Sequence, residues 1–268
     1  MTDMEGCAGI LNRENWVVPE GRYFEQGRRI LTEEVNAAID GFFQGGASGI
    51  TVCDGHYWGG VDPLLLDERV EFMNGCPDPA YPFDLDSSYA AIAHVGQHAK
   101  AGTDYSHLTH TQDASYIDCS INGLSIGEYG MTVLCGMELG IPSIFGSGEE
   151  AFCREAEELT PGIFAVSVKR GLLRDGLEHL TTSDYRVAKL SAVHIHHNEA
   201  CRRIRTGALQ AIEKLKASPD FFSYPSLTKP YVRIDSRRGD CERSPYTARA
   251  EHPDSVIALL NMSPQEIA

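Results

Sequence analysis

The sequence lacks the features of a membrane-spanning or secreted protein. It contains no apolar run of 18 or more residues, the length that a membrane-crossing helix needs. Its opening residues, Met-Thr-Asp-Met-Glu-Gly, include no basic segment followed by an apolar one, so we expect no secretory signal peptide. These absences predict a cytoplasmic protein without a membrane partner.

Paired cysteines and positive charge are also scarce. The eight cysteines are scattered singly, with no Cys-x-x-Cys, and a chain of this size folds without disulfides, so we expect reduced thiols in a reducing compartment. Lys and Arg number 23 against 38 Asp and Glu, for a formal charge of -15. Because an acidic surface repels phosphate backbones, we expect no nucleic-acid partner. Carboxylates do bind cations, so a metal site is compatible with this composition.

What the chain does contain is an alternation of helices and strands. Residues 23–44 carry apolar side chains at helical spacing and end at Gly45-Gly46, which predicts an amphipathic helix. The remaining predicted elements are strands at 49–53, 89–95, 141–145, 163–168 and 231–235 and helices at 126–139, 149–159 and 184–217. This order indicates a three-layer α/β/α fold with a mostly parallel sheet and a smaller second region. We expect residues 1–170 to form the metal-binding catalytic core, and residues 171–268 to complete the fold and the oligomer contacts.

Polar residues follow the predicted strands at the points where those strands end. Asp54 and His56 come directly after one strand, His98 follows the next, and residues 146–150 follow a third. In open α/β sheets, ligands gather at the carboxyl ends of the strands. The pattern therefore indicates a binding site at this edge of the sheet.

Carboxylates and imidazoles make up the candidate ligand set. Asp3 and Glu5 are two residues apart, a spacing that places both side chains on one side of an extended segment. Together with His56, His98 and Glu128 they offer mixed ligands that suit zinc, cobalt or manganese better than magnesium alone. Such a set can hold two ions about 3.5–4 Å apart. Spacing alone leaves the ordinary alternative open, namely surface carboxylates and structural histidines.

Several segments, in chain order over residues 1 to about 170, resemble the M55 family of metallopeptidases, the D-aminopeptidases associated with dipeptide uptake. The family's opening Asp-Met-Glu-Gly is matched by Asp3-Met4-Glu5-Gly6. The other similar segments are Tyr23–Arg28, Thr32–Asn36, Asp54-Gly55-His56, Gly96–Ala101, Thr109-His110-Thr111, Ile121–Gly130, Ala156–Pro161 and Val168-Lys169.

The resemblance implies two zinc ions per chain and an aminopeptidase activity on short peptides, including peptides with an N-terminal D-residue. It places the five zinc ligands on Asp3, Glu5, His56, His98 and Glu128. It places the catalytic histidine on His110 and makes Asp3 the carboxylate that bridges both ions, which its two oxygens permit. It further implies a homo-oligomer, a decameric ring in the family.

The chain also departs from the family. Asp3 lies only two residues from the start, whereas a strand is usually about five residues long, so we expect the native product to be a few residues longer. Tyr57-Trp58 follows His56 where the family is more polar, which favours a bulkier or more aromatic substrate. From residue 218 onward the resemblance is weak.

Two further patterns have both a functional and a structural interpretation. Gly146-x-Gly148-x-x-Ala151 imitates a dinucleotide fingerprint, but Glu149 and Glu150 would repel a pyrophosphate. A tight turn with acidic capping at the N-terminus of the following helix is therefore favoured.

His194, His197 and Cys201 share one stripe of the predicted helix 184–217 and could form a third metal site. A regular apolar stripe is first a packing surface, which is the interpretation we favour. His107 could be a second acid–base group or a loop residue. Lys169 could stabilise an oxyanion or cap a strand.

The sequence therefore predicts a zinc-dependent aminopeptidase. One alternative is a two-metal amidohydrolase acting on another small amide, which the regions Tyr57-Trp58 and 218–250 would distinguish. The other is a non-catalytic metal-dependent peptide-binding protein, which would have no need of His110.

Overall fold

The computed structural model describes residues 1–267. Its strands are β1 Thr51–Cys53, β2 Glu71–Met73, β3 Ile92–Gln97, β4 Tyr116–Ile121, β5 Leu124–Ser125, β6 Ser143–Glu149, β7 Phe164–Gly171, β8 Ala192–His194, β9 Tyr231–Arg237, β10 Tyr246–His252 and β11 Gln265–Ile267. Its helices are α1 Arg13–Trp16, α2 Phe24–Gln44, α3 Glu128–Leu139, α4 Glu150–Leu159, α5 Thr182–Arg186, α6 His197–Ala217 and α7 Val256–Leu260, with a 3-10 turn at Pro219–Phe221.

The strands of the central sheet are mostly parallel, and the N-terminal residues connect its two parts. Strands β3, β6 and β7 are parallel neighbours, and β8 closes this edge antiparallel to β7. Strands β1 and β2 form a separate parallel pair. Thr2 makes parallel bridges to both Asp54 and Val95, so the first residues lie between β1 and β3. The expected mostly parallel sheet is confirmed.

Helices cover both faces of this sheet, because its strands bury alternate residues on opposite sides. Phe164, Val166 and Val168 of β7 contact the core that contains α2 and α6, whereas Ile163 and Ala165 contact the core formed with α3 and α4. The three-layer arrangement is therefore confirmed. The predicted helix at 23–44 is also confirmed, with its apolar stripe buried and Gly45 as its C-cap.

A second sheet, antiparallel throughout, lies beside the first. Its strand order is β11-β10-β9-β4-β5. Strands β4 and β5 come from the first half of the chain, and β9 to β11 come from the last forty residues. Its apolar face packs on α3 and α7. The sequence pattern predicted only β9 among these strands.

The expected single helix at 184–217 is wrong. The chain forms α5, then the edge strand β8, then α6, which begins after His196 caps it by accepting a hydrogen bond from the Asn198 N–H at 3.2 Å. Lys189, between α5 and β8, is buried and makes an ion pair of 2.6 Å with Asp175. This tertiary contact has no trace in the helical spacing of the segment.

Two glycines allow the backbone to pack tightly around the N-terminal segment. Gly96 in β3 has a φ of +76°, and a Cβ there would lie 1.9 Å from the Asp3 carbonyl oxygen. At Gly148, a Cβ would lie 1.9 Å from the Gln97 carbonyl oxygen. Gly146 and Gly148 both lie inside β6, which runs on to Glu149, so neither a dinucleotide-binding loop nor a tight turn is present at these residues.

None of the helices within residues 1–267 has both the length and the apolar composition that crossing a membrane requires.

Candidate metal centre

All five predicted ligands lie at one edge of the central sheet. Asp3 and Glu5 follow the bridge made by Thr2, His56 follows β1, His98 follows β3, and Glu128 begins α3. Asp3, Glu5, His56 and His98 are each buried. The topology therefore brings together residues that are up to 125 positions apart in the sequence.

Asp3, Glu5 and His56 form one group of candidate ligand atoms, all within 4.8 Å of one another. The Nδ1 atom of His56 lies 3.4 Å from Oδ1 of Asp3 and 3.3 Å from Oε2 of Glu5. Two carboxylates and one imidazole surround a single point, which is a ligand set that zinc accepts.

His98, His110 and Glu128 form a second group with the same spread of 4.8 Å. Oε1 of Glu128 lies 3.6 Å from Nε2 of His98 and 3.8 Å from Nε2 of His110. The rings of His98 and His110 stack with centroids 4.0 Å apart. Asp3 connects the two groups, because its other oxygen, Oδ2, lies 3.2 Å from Nε2 of His98.

Backbone carbonyls orient the three imidazoles. In each ring, the nitrogen that faces away from the cluster lies 2.9 Å from a carbonyl oxygen. The pairs are His56 Nε2 with Val17, His98 Nδ1 with Ala99, and His110 Nδ1 with Leu108. A carbonyl only accepts, so these nitrogens donate, and in a neutral ring the other nitrogen presents a lone pair to the carboxylates.

This arrangement is incomplete without a cation. The buried atoms Oε2 of Glu5 and Nε2 of His98 have no hydrogen-bond partner within residues 1–267. Buried polar atoms are almost always satisfied, and lone pairs that face carboxylates at 3.2–3.6 Å repel one another. One positive ion in each group would remove both problems, so the residues present fit a pair of metal ions.

Without a metal ion, the cluster would take up its positive charge as a proton on His98, and its acid–base properties show this demand for a cation. Burial alone would raise the pKa of Glu5 and Glu128, but neighbouring histidines hold the pKa of Glu5 well below its usual range and lower that of Glu128 to about 2. Burial would lower the pKa of His98, but Glu128 and Asp3 raise it well above its usual value. The carboxylates thus stay charged and attract cations at neutral pH.

His110 differs from its neighbours. Burial, with the positive charge of His98, lowers the pKa of His110. Its Nε2 atom faces Glu128 while its Nδ1 atom is fixed by the Leu108 carbonyl. A neutral, oriented imidazole beside the cluster can accept a proton.

Three supporting residues lie outside the predicted ligand set. Asp54 holds the loop after β1 by accepting hydrogen bonds from the N–H groups of His56, Gly60 and Val61, at 3.3, 3.1 and 3.0 Å. Gln97 donates to Oδ2 of Asp3 at 3.2 Å. The position of Gln97 directly before the candidate ligand His98 was the signal in the sequence that could have identified it.

The third supporting residue is Lys169. Its buried Nζ donates to the backbone carbonyl of Glu5. Burial lowers the pKa of Lys169, and Glu149 opposes that shift. Glu149 in turn accepts hydrogen bonds from the N–H groups of Ala99 at 2.8 Å and His107 at 2.5 Å. Lys169 and Glu149 therefore hold the backbone on which Glu5 and His98 sit.

The stripe of His194, His197 and Cys201 does not form a third ligand group within residues 1–267. His194 accepts a hydrogen bond from the Gly9 N–H at 3.1 Å, while His197 lies 2.8 Å from Oε2 of Glu33. The packing interpretation of α6 is confirmed instead, because its buried residues pack in the same core as α2.

A cavity of about 620 Å³ opens onto the cluster. Its lining includes Arg13, Tyr57, Trp58, Tyr81 and Gln112 beside the cluster residues. The loop side chain Tyr57 is 86% exposed, and it packs edge-on against Trp58 with ring centroids 4.8 Å apart. No residue of the described part of 218–250 contributes to this lining.

Fold and cluster together define an α/β protein whose sheet edge carries a buried carboxylate–histidine centre of the kind found in metallohydrolases. The model of peptidase family M55, described as D-aminopeptidase, matches residues 1–239. The chain therefore belongs to the M55 peptidase family.

A sequence and a solved structure are each similar to this chain. The D-aminopeptidase of Bacillus subtilis (strain 168) is 27% identical over 183 residues, which cover 67% of this chain and 65% of that protein. The match thus spans just under two thirds of the relative's length. The solved structure of the Zn-dependent D-aminopeptidase DppA from Bacillus subtilis, a self-compartmentalizing protease, superposes with a TM-score of 0.81 at 20% identity and covers 97% of this chain and 93% of that one. This structural likeness confirms the fold.

Proposed function

We propose that this protein is a zinc-dependent aminopeptidase that hydrolyses short peptides and releases their N-terminal residue. The observation that carries the proposal is the pair of ligand groups joined by Asp3 at the floor of the cavity. Membership of the M55 family supports it, and so do the names of the similar sequence and the similar structure, which are both D-aminopeptidases, the structure being Zn-dependent.

In this proposal the five predicted ligands would hold two zinc ions, and Asp3 would serve both ligand groups. The ligands are Asp3, Glu5, His56, His98 and Glu128. The same set also accepts cobalt or manganese. Bound ions would supply Lewis acidity that activates water near neutral pH and polarises the scissile carbonyl.

The chain's own groups move the proton. Hydrolysis adds water to the peptide carbonyl and breaks the C–N bond, so one proton must pass from water to the leaving amine. His110 is the proposed carrier, because its Nε2 faces the cluster and its lowered pKa keeps the ring neutral and able to accept. Since Nε2 also belongs to the second ligand group, the alternative role of His110 is a metal ligand.

Preference for an N-terminal D-residue and assembly into a homo-oligomer, a decameric ring in the family, are further parts of this proposal. They are supported by the D-aminopeptidase relative and by the neighbour described as self-compartmentalizing. A cytoplasmic location fits the eight cysteines, which are all free thiols in residues 1–267.

Elemental analysis combined with a screen of D- and L-dipeptides tests the proposal. We expect close to two zinc ions per chain after reconstitution, and release of the N-terminal residue from at least one dipeptide series. His98→Ala should lower the zinc content, because no neighbouring group replaces the lost imidazole. Reconstituted protein that binds no transition metal would overturn the proposal.

A two-metal amidohydrolase with another small amide as substrate is the second candidate. The exposed pair Tyr57 and Trp58 at the cavity favours it, because an aromatic mouth suits substrates other than small dipeptides. Turnover of aryl amides without turnover of dipeptides would select this candidate.

A further inference from the structure

The cavity above the metal centre is strongly acidic and contains one cationic side chain. Four carboxylates contribute to its lining, namely Asp3, Glu5, Asp54 and Glu128. Arg13 is the only Lys or Arg among the described residues that line it. Apart from the proposed zinc ions, Arg13 is therefore the permanently positively charged side chain that a negatively charged part of a substrate would meet in this cavity.

Arg13 is placed at the centre by the local structure of the N-terminal loop. It is the first residue of α1, which Asn12 caps by accepting a hydrogen bond from the Asn15 N–H at 2.9 Å. The residue after α1, Val17, accepts the hydrogen bond from His56. The segment that carries Arg13 is therefore tied directly to one of the candidate ligands.

The guanidinium group of Arg13 is only partly engaged. Its Nη1 lies 3.5 Å from Oε1 of Glu5, which is longer than a normal hydrogen bond. The Arg13 side chain is 30% exposed, against 3% for Glu5. A guanidinium has five donors in a planar fork that matches a carboxylate. Most of that fork is free to bind a ligand in the cavity.

We propose that Arg13 binds the C-terminal carboxylate of the substrate and so makes this site selective for dipeptides with a free C-terminus. This inference rests on the proposed aminopeptidase function. One residue of extended chain spans about 3.3–3.6 Å. The guanidinium of Arg13 contacts the side chain of the proposed ligand Glu5, with Nη1 3.5 Å from Oε1. A carboxylate one residue after the scissile bond would therefore stay close to Glu5 and within reach of Arg13, whereas each further residue would carry it about 3.3–3.6 Å farther along the chain.

A matched pair of substrates tests this role. Alanyl-alanine, in its D,D and L,L forms, is compared with its C-terminal amide, using zinc-loaded wild type, Arg13→Met and Arg13→Lys. For Arg13→Met we expect KM for the free acid to rise about 10- to 100-fold, as for the loss of a charge-assisted hydrogen bond. KM for the amide should stay within about twofold, the zinc content should not change, and Arg13→Lys should recover part of the affinity for the free acid.

Arg154→Met is the control, because Arg154 pairs with Glu150 on the exposed face of α4, away from the cavity. It should leave both substrates unaffected. An equal loss on acid and amide in Arg13→Met, or a loss of zinc, would show that Arg13 serves Glu5 and the metal instead, and would overturn the inference.

A failure of the proposed aminopeptidase function would give a different result from a failure of the Arg13 inference. In that case the wild type cleaves neither alanyl-alanine nor its amide while it retains zinc. Calorimetric binding of the same two compounds to wild type and Arg13→Met then decides the carboxylate site independently. A preference for the free acid that vanishes in Arg13→Met supports the site, and no preference in the wild type overturns it.

Discussion

At the scale of single residues, a variant of His110 tests whether the proposed catalysis can be separated from metal binding. His110→Ala should keep the fold and both ions while turnover falls by about 10²–10⁴-fold, the range for losing a general acid–base group. KM should change much less, because the group acts mainly in the transition state. Steady-state kinetics on zinc-quantified protein measure both effects.

Glu128→Ala provides the matched comparison for His110, since both side chains belong to the second group. It should lose zinc as well as activity. If His110→Ala loses zinc to the same extent as Glu128→Ala, His110 is a ligand and another group carries the proton.

A half-buried histidine away from the metal centre, His194, should make the protein sensitive to mild acid. Burial and the nearby charge of Lys169 lower the pKa of His194 to about 4. The unfolded chain takes up this proton near pH 6.5 and the folded chain only near 4. The stabilisation is therefore complete above about pH 6.5 and is lost as the pH falls toward 4.

His194→Gln, which keeps an acceptor for the Gly9 N–H, should reduce this loss by about 1–2 kcal/mol, a range that allows for partial solvent screening. Urea unfolding of wild type and variant at pH 7 and pH 4.5 measures the difference. An identical pH dependence in both proteins would contradict the assignment.

At the scale of elements, β7 supports the metal centre through Lys169. Lys169→Met removes the hydrogen bond to the Glu5 carbonyl and leaves Glu149 buried without its cation. We expect zinc to bind about 10- to 100-fold more weakly, the usual cost of losing a group that orients a ligand. Competition with a zinc chelator measures the affinity.

Lys189→Met is the control for Lys169→Met. Lys189 is equally buried, but it pairs with Asp175 outside the cluster. Its loss should lower the free energy of unfolding and leave the zinc affinity unchanged. Equal effects of the two variants on zinc binding would show that Lys169 acts only through general stability.

The elements also show what sequence patterns can and cannot predict. The helix now bounded as Phe24–Gln44 was predictable because its core contacts repeat at a regular helical spacing. Strands of the antiparallel sheet were missed because β4 and β10 mix polar and apolar residues without a buried run. The prediction of one helix at 184–217 failed because the contact between Lys189 and Asp175 is not visible in any local pattern.

For the site, the sequence predicted which residues come together but not every residue around them. The five ligand positions were predicted from short motifs that follow the family's order along the chain. The structure brings those residues together. Their roles as ligands stay predictions, as does the role of His110. Arg13 had no indication in the sequence, because only the folded chain shows that α1 lies against Glu5.

At the scale of the whole molecule, one loop next to the cavity exposes an unusual amount of apolar surface. Tyr57, Trp58, Leu64 and Leu65 are all exposed, and Leu64 reaches 91%. Grouped exposed apolar side chains mark interaction surfaces. We expect the purified protein to be a homo-oligomer, and Leu64→Asp to shift it toward smaller species in light scattering. A monomeric wild type would exclude this assembly.

The placement of the first residues between β1 and β3 has a consequence for the lifetime of the protein. Thr2 bonds to the Cys53 carbonyl at 3.0 Å and Asp3 to the Val95 carbonyl at 2.9 Å, so the segment that carries the proposed bridging ligand also connects two parts of the sheet. Zinc bound at Asp3 as proposed would stabilise the pairing of these strands, and the paired strands would in turn stabilise the zinc site. Zinc starvation would open the centre of the fold to proteases, so cellular zinc supply would set the protein's abundance as well as its activity.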